Sequence, residues 1–275
     1  TFPTKTKNIY ISHDIYDAQI EKKNFEKKIF KELAKIDYIF VSSEIVLNNF
    51  KKVFSKNLIN KTKQKVQIIN TGYLKLDHVY RKIKRIKNKE EFILIAPTSN
   101  KQYSNVNLSK KLEEMINFLL KKKFKLIFRP HPLDLTNKGE INLTNSIIEK
   151  FKKFDNFKFD LSTSYINSYR RSKLLITDFS GTAYTYAFSN EKPVIFYSSL
   201  NELSFWKELN KLYYFKDRKE IGYVVDNIAD LYKRIKNINK NKTILKTKIK
   251  NLRKKRIKYF NNSLRVTKNI IEKIL

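Results

Sequence analysis

KLLITDFSGTAYTYAFSNEKPVIFY, residues 173–197, reads as strand, polar turn, helix and second strand. Leu174, Leu175 and Ile176 form the short apolar run of a strand buried on both faces. Residues 177–182 are small and polar with one glycine, and 183–189 have helical composition. Residues 190–193 break that helix, and 194–197 are again rich in β-formers. This is the pattern of a parallel α/β sheet. There, the turn after a strand lies at the strand's carboxyl end, where ligands bind. A helix starting at residues 180–182 aims free backbone N–H groups at that spot, with two hydroxyls beside them, which suits a phosphate. An ordinary N-cap leaves the same signature.

Working outward, the pattern repeats. Residues 92–96 (FILIA) end in Pro97-Thr98-Ser99, and 125–128 (KLIF) end in Arg129-Pro130-His131-Pro132. Between them, Leu112, Met115, Ile116, Leu119 and Leu120 mark one side of a helix over 108–122. Residues 133–145 read as loop, 146–154 as a short helix, 157–159 as a strand and 166–172 as a helix. Nearer the start, NIYIS (8–12) is a strand ending in His13, and 14–35 carries Ile20, Phe25, Ile29, Phe30 and Leu33 at helical spacing. YIFV (38–41) ends in Ser42 and Ser43, which can cap a helix bearing Ile45, Val46, Phe50 and Phe54. VQIIN (66–70) leads into Thr71-Gly72-Tyr73. These first strands are too few for a full doubly wound domain.

The expected organisation is therefore residues 1–85 as the C-terminal part of one lobe, the N-terminal lobe being incomplete. A polar linker follows near 80–91, then a second lobe over 86–238 and a basic helical segment over 239–275. After Tyr197 comes an aromatic, polar region with Phe205, Trp206, Tyr213, Tyr214 and Phe215, then a helix over 226–238. The tail interleaves Ile244, Leu245, Ile249, Leu252 and Ile257 with Lys and Arg, as one long or two shorter helices.

The formal net charge is +33, from 59 Lys+Arg against 26 Asp+Glu. Nucleic acid, an anionic membrane surface and a polyanionic substrate all suit it. Genome bias toward Lys, Asn and Ile also produces such a charge, and no known nucleic-acid module is visible. No cysteine is present, so disulfides and thiolate metal sites are excluded. No stretch reaches the roughly 18 apolar residues of a membrane span, so the expected location is cytoplasmic.

Several residues could carry chemistry. Arg129 offers a planar fork of donors to a phosphate, and His131 a further hydrogen bond, on a turn stiffened by Pro130 and Pro132. A solvated arginine in a proline-rich turn is the bland alternative. His13, with Asp14 beside it, is placed either as a general base or as an exposed capping residue. His78 reads as structural. The three histidines lack metal-ligand spacing, so no metal is expected. The nucleophile elbow, the dinucleotide fingerprint and the P-loop lysine are missing.

SHD (12–14), DYIFVSS (37–43), TGYLKLD (71–77), ILIAPT (93–98), LIFRPHP (126–132) and LLITDFSGTAYTYAFSNEKPVIFY (174–197) together resemble the CDP-glycerol glycerophosphotransferase family, which includes the teichoic acid polymerases. They follow the family's order over about 190 residues. The resemblance implies a GT-B fold, two Rossmann-like lobes with parallel sheets, the C-terminal one binding the cytidine nucleotide. It implies that His13 is the general base, although Asp14 stands where the family has glycine. It implies that Arg129 and His131 face the donor diphosphate. Asp178, Ser180, Gly181 and Thr182 would hold donor phosphates, with Thr98 at the same edge.

The implied activity is transfer of a substituted phosphate, such as glycerol phosphate, from a CDP-activated donor to a glycan or polyol-phosphate hydroxyl, with release of CMP. No cofactor and no specific nucleic acid are expected. The basic tail suits peripheral contact with an anionic membrane at the inner face, and equally a helix packed back on the first lobe. A GT-B glycosyltransferase using a nucleotide sugar, and a basic nucleic-acid-binding protein, are the competing functions.

Overall fold

The computed structural model describes residues 6–16, 36–57, 66–85, 91–99, 108–135, 143–197 and 212–274. The chain separates into two units. The first comprises Thr1–Arg81, Leu212–Tyr214 and Asn251–Leu275; the second comprises Lys82–Lys211 and Phe215–Lys250. The helix expected over 14–35 lies outside the described residues beyond Tyr16, as do Phe205 and Trp206.

In the first unit, β1 (Ile9–Ile11), β2 (Tyr38–Val41) and β3 (Gln67–Asn70) form a parallel sheet in that order. Helix α1 (Glu44–Asn57) follows β2, and its Val46, Phe50, Val53 and Phe54 pack with Ile39 and Val41. Ser43 caps it: its Oγ accepts the Val46 N–H at 3.3 Å and donates to the Ile15 carbonyl at 2.7 Å. The paired serines after β2 therefore fasten the segment following β1.

Helix α2 (Leu74–Lys84) shows what TGYLKLD does. Gly72 has φ +81°, and a Cβ there would lie 3.0 Å from Ser263 Cβ and 3.1 Å from Tyr259 Cβ. Both the backbone conformation and the close approach of the C-terminal segment demand glycine. Asp77, 2% exposed, accepts the N–H groups of Asn261 (2.6 Å) and Ser263 (2.8 Å). It thus caps the last helix from a position 186 residues away in sequence. The segment expected as a linker begins as helix: Tyr80 packs its ring on Phe260 at 4.8 Å and lies under the Arg253 guanidinium.

In the second unit the strands are β4 (Phe92–Ile95), β5 (Lys125–Phe128), β6 (Phe157–Phe159), β7 (Ser172–Thr177), β8 (Val194–Tyr197) and β9 (Gly222–Val225). All pair in parallel, in the order β6-β5-β4-β7-β8-β9. The chain starts in the middle, runs out to one edge, returns and runs out to the other. That is the doubly wound Rossmann order, and its reversal falls between β4 and β7. Continuous apolar runs occupy the centre: every residue of β4 and β8 is buried. The edge strands are covered less completely, leaving Phe159 and Val224 exposed.

The helices of this unit are α3 (Ser109–Lys121), α4 (Leu143–Phe151), α5 (Ile166–Arg171), α6 (Thr182–Asn190), α7 (Tyr213–Lys216), α8 (Arg218–Ile221), α9 (Ile228–Asn237) and α10 (Lys242–Arg256). Helices α7 and α10 extend into the first unit, as does α2, and α11 (Ser263–Ile274) belongs wholly to it. Helix α4 starts earlier than its expected 146, because Leu143, Ile147 and Phe151 repeat at four-residue spacing and face the core. Strand β9 and the short helices α7 and α8 had no clear periodicity to reveal them. The basic tail forms two helices, with Leu245, Ile249 and Leu252 buried while Ile244 stays 61% exposed.

Replacing Asp77 with Ala leaves the N–H groups of residues 261 and 263 without their acceptor. The expected cost is about 1–3 kcal/mol, read as a lower urea midpoint at unchanged m-value. Gly72→Ala is expected to cost at least as much, since it adds left-handed strain to a clash.

Candidate functional site

The β4 and β7 ends meet at one carboxylate. Asp178, 2% exposed, follows β7 directly. Its Oδ1 accepts the Thr98 N–H at 2.8 Å and the Phe179 N–H at 2.7 Å, and its Oδ2 accepts the Leu108 N–H at 3.0 Å. Burial pushes this carboxyl above its ordinary pKa, while the backbone donors pull the other way. Both oxygens are committed to the main chain. Asp178 therefore binds the Thr98 turn and the segment leading into α3 to the end of β7.

The Thr98 turn is braced on its other side. Buried Ser99 donates its hydroxyl to buried Asp134 at 2.7 Å. Asp134 closes the 3-10 turn Pro132–Asp134, which His131 caps by accepting the Leu133 N–H on Nδ1 at 3.2 Å. In the neutral ring this leaves the proton on Nε2. Burial lowers the His131 pKa, against the opposing charges of Asp134 and Asp178. At neutral pH the ring is an uncharged donor.

Arg129 is committed elsewhere in the turn. Its Nη1 lies 2.8 Å from Asp160 Oδ2, Nη2 donates to the Ser162 carbonyl at 2.8 Å, and the guanidinium lies over the Tyr165 ring. Asp160 also accepts from the hydroxyls of Ser162 and Ser168 and the Ser162 N–H. Burial works to raise its pKa, but those hydrogen bonds and the Arg129 charge hold it below the usual carboxylate value. Arg129 and Asp160 thus form an ion pair that ties the end of β5 to the end of β6.

Ser180, Gly181 and Thr182 open α6 and are all partly exposed. Ser180 Oγ accepts the Thr182 N–H at a long 3.4 Å, and the Ser180 carbonyl accepts the Ala183 N–H at 3.0 Å. Thr182 Oγ1 shares a 2.7 Å hydrogen bond with the hydroxyl of Tyr169, which is buried on α5. The Tyr165 ring meets Tyr169 tilted, at 4.7 Å between centroids, and its phenol is pushed up to about 12 by burial, against the pull of Arg129. Burial raises Tyr169 further, so both phenols keep their protons. Through this pair the Arg129 turn and the start of α6 share one scaffold.

The structure thus gathers Thr98, Arg129, His131, Asp178, Ser180, Gly181 and Thr182 at the carboxyl ends of β4, β5 and β7, around the switch point. His13 belongs to the first unit. Its side chain is 68% exposed, with Nε2 3.5 Å from Asp14 Oδ2, and its carbonyl accepts the Tyr73 hydroxyl at 2.8 Å. Sequence reasoning missed Ser99, Asp134, Asp160 and Tyr169, which support the turns. Only the position of Asp134, three residues after His131, hinted at a role. Among the described residues, no group of three metal-binding side chains occurs, and no helix is long and apolar enough to cross a membrane.

Solved structures share this fold. The wall teichoic acid polymerase TagF superposes with a TM-score of 0.64 at 16% identity, over 100% of this chain and 71% of that one. A TagF variant soaked with CDPG gives a TM-score of 0.63 at 17% identity, over the same shares. The S. aureus MnaA–UDP structure gives 0.53 at 12% identity, over 90% of this chain and 62% of that one. The likeness to TagF bears out the expected GT-B-like α/β architecture with parallel sheets. In sequence, 86 residues are 35% identical to the minor teichoic acid biosynthesis protein GgaB of Bacillus subtilis (strain 168). That match spans 31% of this chain and only 8% of that protein's length. The family model for CDP-glycerol:poly(glycerophosphate) glycerophosphotransferases matches residues 9–275, so the chain belongs to that family.

Proposed function

We propose that the protein transfers glycerol phosphate, or a similar substituted phosphate, from a CDP-activated donor to a hydroxyl of a cell-surface polyol-phosphate or glycan. The observation that carries this reading is the convergence of three strand-end turns at the switch point, where the start of α6 offers backbone N–H groups beside Ser180 and Thr182. A donor diphosphate suits such a site.

In the reaction, the acceptor oxygen attacks the phosphorus bearing the glycerol. The bond from that phosphorus to the bridging oxygen breaks, and CMP departs with the electron pair. Negative charge grows on the departing CMP and on the phosphoryl oxygens. The N–H groups opening α6 and the Nε2–H of His131 stabilise it. Asp178, with both oxygens taken by backbone donors, holds the turn rather than meeting the donor. Arg129 adds a positive charge softened by Asp160. His13 takes the acceptor's proton, the role its family resemblance implies. The exposed Ile244 among exposed lysines of α10 supports peripheral contact with an anionic membrane at the inner face.

Thermal unfolding with added nucleotides tests the donor class. CDP and CDP-glycerol are expected to raise the melting temperature and UDP to leave it unchanged; a ligand at about 100 times its Kd stabilises by about 2.7 kcal/mol. Equal stabilisation by UDP-sugars would favour a glycosyltransferase instead. Arg129→Ala with His131→Ala is expected to cost at least about 100-fold in turnover, whereas His13→Ala keeps CDP-glycerol binding and loses transfer.

The lowered pKa of His131 predicts a pH signature. In the free protein the ring takes up a proton only below its usual value of about 6.5. A bound diphosphate draws that pKa up, so the complex holds a proton that the free protein lacks. CDP-glycerol affinity therefore rises as pH falls through that interval, by up to about tenfold per pH unit. Calorimetry between pH 7.5 and 5.5 reads this, and His131→Gln is expected to flatten the profile.

A further inference from the structure

A cation sits behind the turn that opens α6. Arg218, in α8, is 3% exposed. Its guanidinium lies 4.3 Å from the ring centroid of Phe215, 4.6 Å from that of Phe196 and 5.5 Å from that of Phe179. Its Nη2 donates to the main-chain carbonyl of Asp178 at 3.2 Å. Phe179 and Phe215 also meet edge to face at 6.0 Å. The Asp178 side chain is fixed by three N–H groups and its carbonyl by Arg218, so this one residue is clamped from both ends.

We propose that Arg218 is the positioning residue of the donor-phosphate turn: it fixes the Asp178–Phe179 peptide so that the backbone of residues 180–182 meets the diphosphate, and it adds a buried positive charge behind that turn. The inference rests on the donor reading above. The physical argument is one of cost. A pocket walled by Phe179, Phe196 and Phe215 is filled more cheaply by an apolar side chain, because a buried guanidinium gives up its hydration. Rings offer it their negative faces, and the carbonyl takes one donor. What the apolar residue lacks is the charge and the grip on the Asp178 carbonyl, both directed at the turn where a phosphate is expected. In so dry a position the charge acts on a bound anion with little screening by solvent or salt.

Arg218→Met keeps the volume and apolar contacts and removes charge and fork. Arg218→Lys keeps the charge and loses the fork. Kd values for CDP by calorimetry and for cytidine by ligand-observed NMR, with kcat and KM for CDP-glycerol, separate the possibilities. The expected result for Arg218→Met is a CDP Kd and a CDP-glycerol KM raised at least tenfold, cytidine binding unchanged, and kcat reduced less than KM is raised. Arg218→Lys is expected to lie between it and the wild type.

Wild-type CDP affinity in Arg218→Met overturns the proposal while leaving the donor site standing. An equal loss for cytidine and CDP also overturns it, by showing a structural role alone. If the methionine variant does not fold, unchanged CDP affinity in Arg218→Lys overturns it in the same way. A wild-type protein that binds neither CDP nor CDP-glycerol removes the donor reading and this inference together.

Discussion

A buried carboxylate that spends both oxygens on backbone N–H groups is the constraint on which the second unit depends. Parallel sheets of the Rossmann order leave a crevice where the chain reverses, but they do not shape it. The ends of β4 and β7 carry separate loops, free to splay. Asp178 joins them by accepting from Thr98, Leu108 and Phe179. Taking a carboxylate out of water costs several kcal/mol, and three well-placed donors offset it. Glutamate, one methylene longer, would have to push the Thr98 turn outward to make the same bonds. Asparagine would present an NH2 to a backbone donor. The chemistry of this position thus admits little besides aspartate, before any ligand is considered.

Helix α6 transmits that constraint. From Ala183 to Asn190 every residue is buried, so the helix cannot shift without disturbing the core. Thr182, at its start, is held by Tyr169, and Tyr169 packs edge to face on Tyr186 within the same helix. Its end is held as well. Glu191 takes the left-handed conformation at φ 57° and lies 3.6–3.8 Å from the ammonium groups of Lys84, Lys246 and Lys250. A helix pinned at both ends keeps its first N–H groups in one orientation. Orientation, more than the count of donors, decides how much a helix terminus stabilises an anion.

The sequence made the strands and their ends legible and the supports between them illegible. Runs such as FILI, KLIF and KLLIT are apolar because both faces of a parallel strand are covered, and that leaves a mark on consecutive residues. ITDFSGT and RPHP were visible because a strand end followed by polar and small residues is itself a pattern. Ser99, Asp160 and Arg218 each act alone, through a partner 35 to 40 positions away or, for Asp160, through Arg129 and two nearby serines. No local period records such pairings. The longest-range case is Asp77, whose partners lie at the far end of the chain. That the tail packs back on the first lobe was one of two readings of the sequence, but nothing in its basic composition singled out Asn261 and Ser263 as the partners of Asp77. Composition describes a helix's exposed face, whereas Leu245, Ile249 and Leu252 decide what it covers.

The charged side chains at these turns are engaged by the protein itself. Arg129 and Asp178 carry the charges that catch the eye in a sequence. One is balanced by Asp160, and the other is turned wholly toward the backbone. In the proposed donor site, the groups that would meet the anion beside the softened charge of Arg129 are amide N–H donors and the Nε2–H of His131. Uncharged donors bind an anion well only when they are fixed beforehand, since they bring no long-range attraction to offset reorganisation. That makes rigidity of the turn a chemical requirement rather than a by-product of stability. It also explains why ionic and aromatic supports crowd behind so short a stretch: Asp178 and Arg218 under its first peptide, Tyr169 at its hydroxyl, Asp134 and Ser99 at the neighbouring turn. On the donor reading, the strength of the site then lies in how firmly these turns are held.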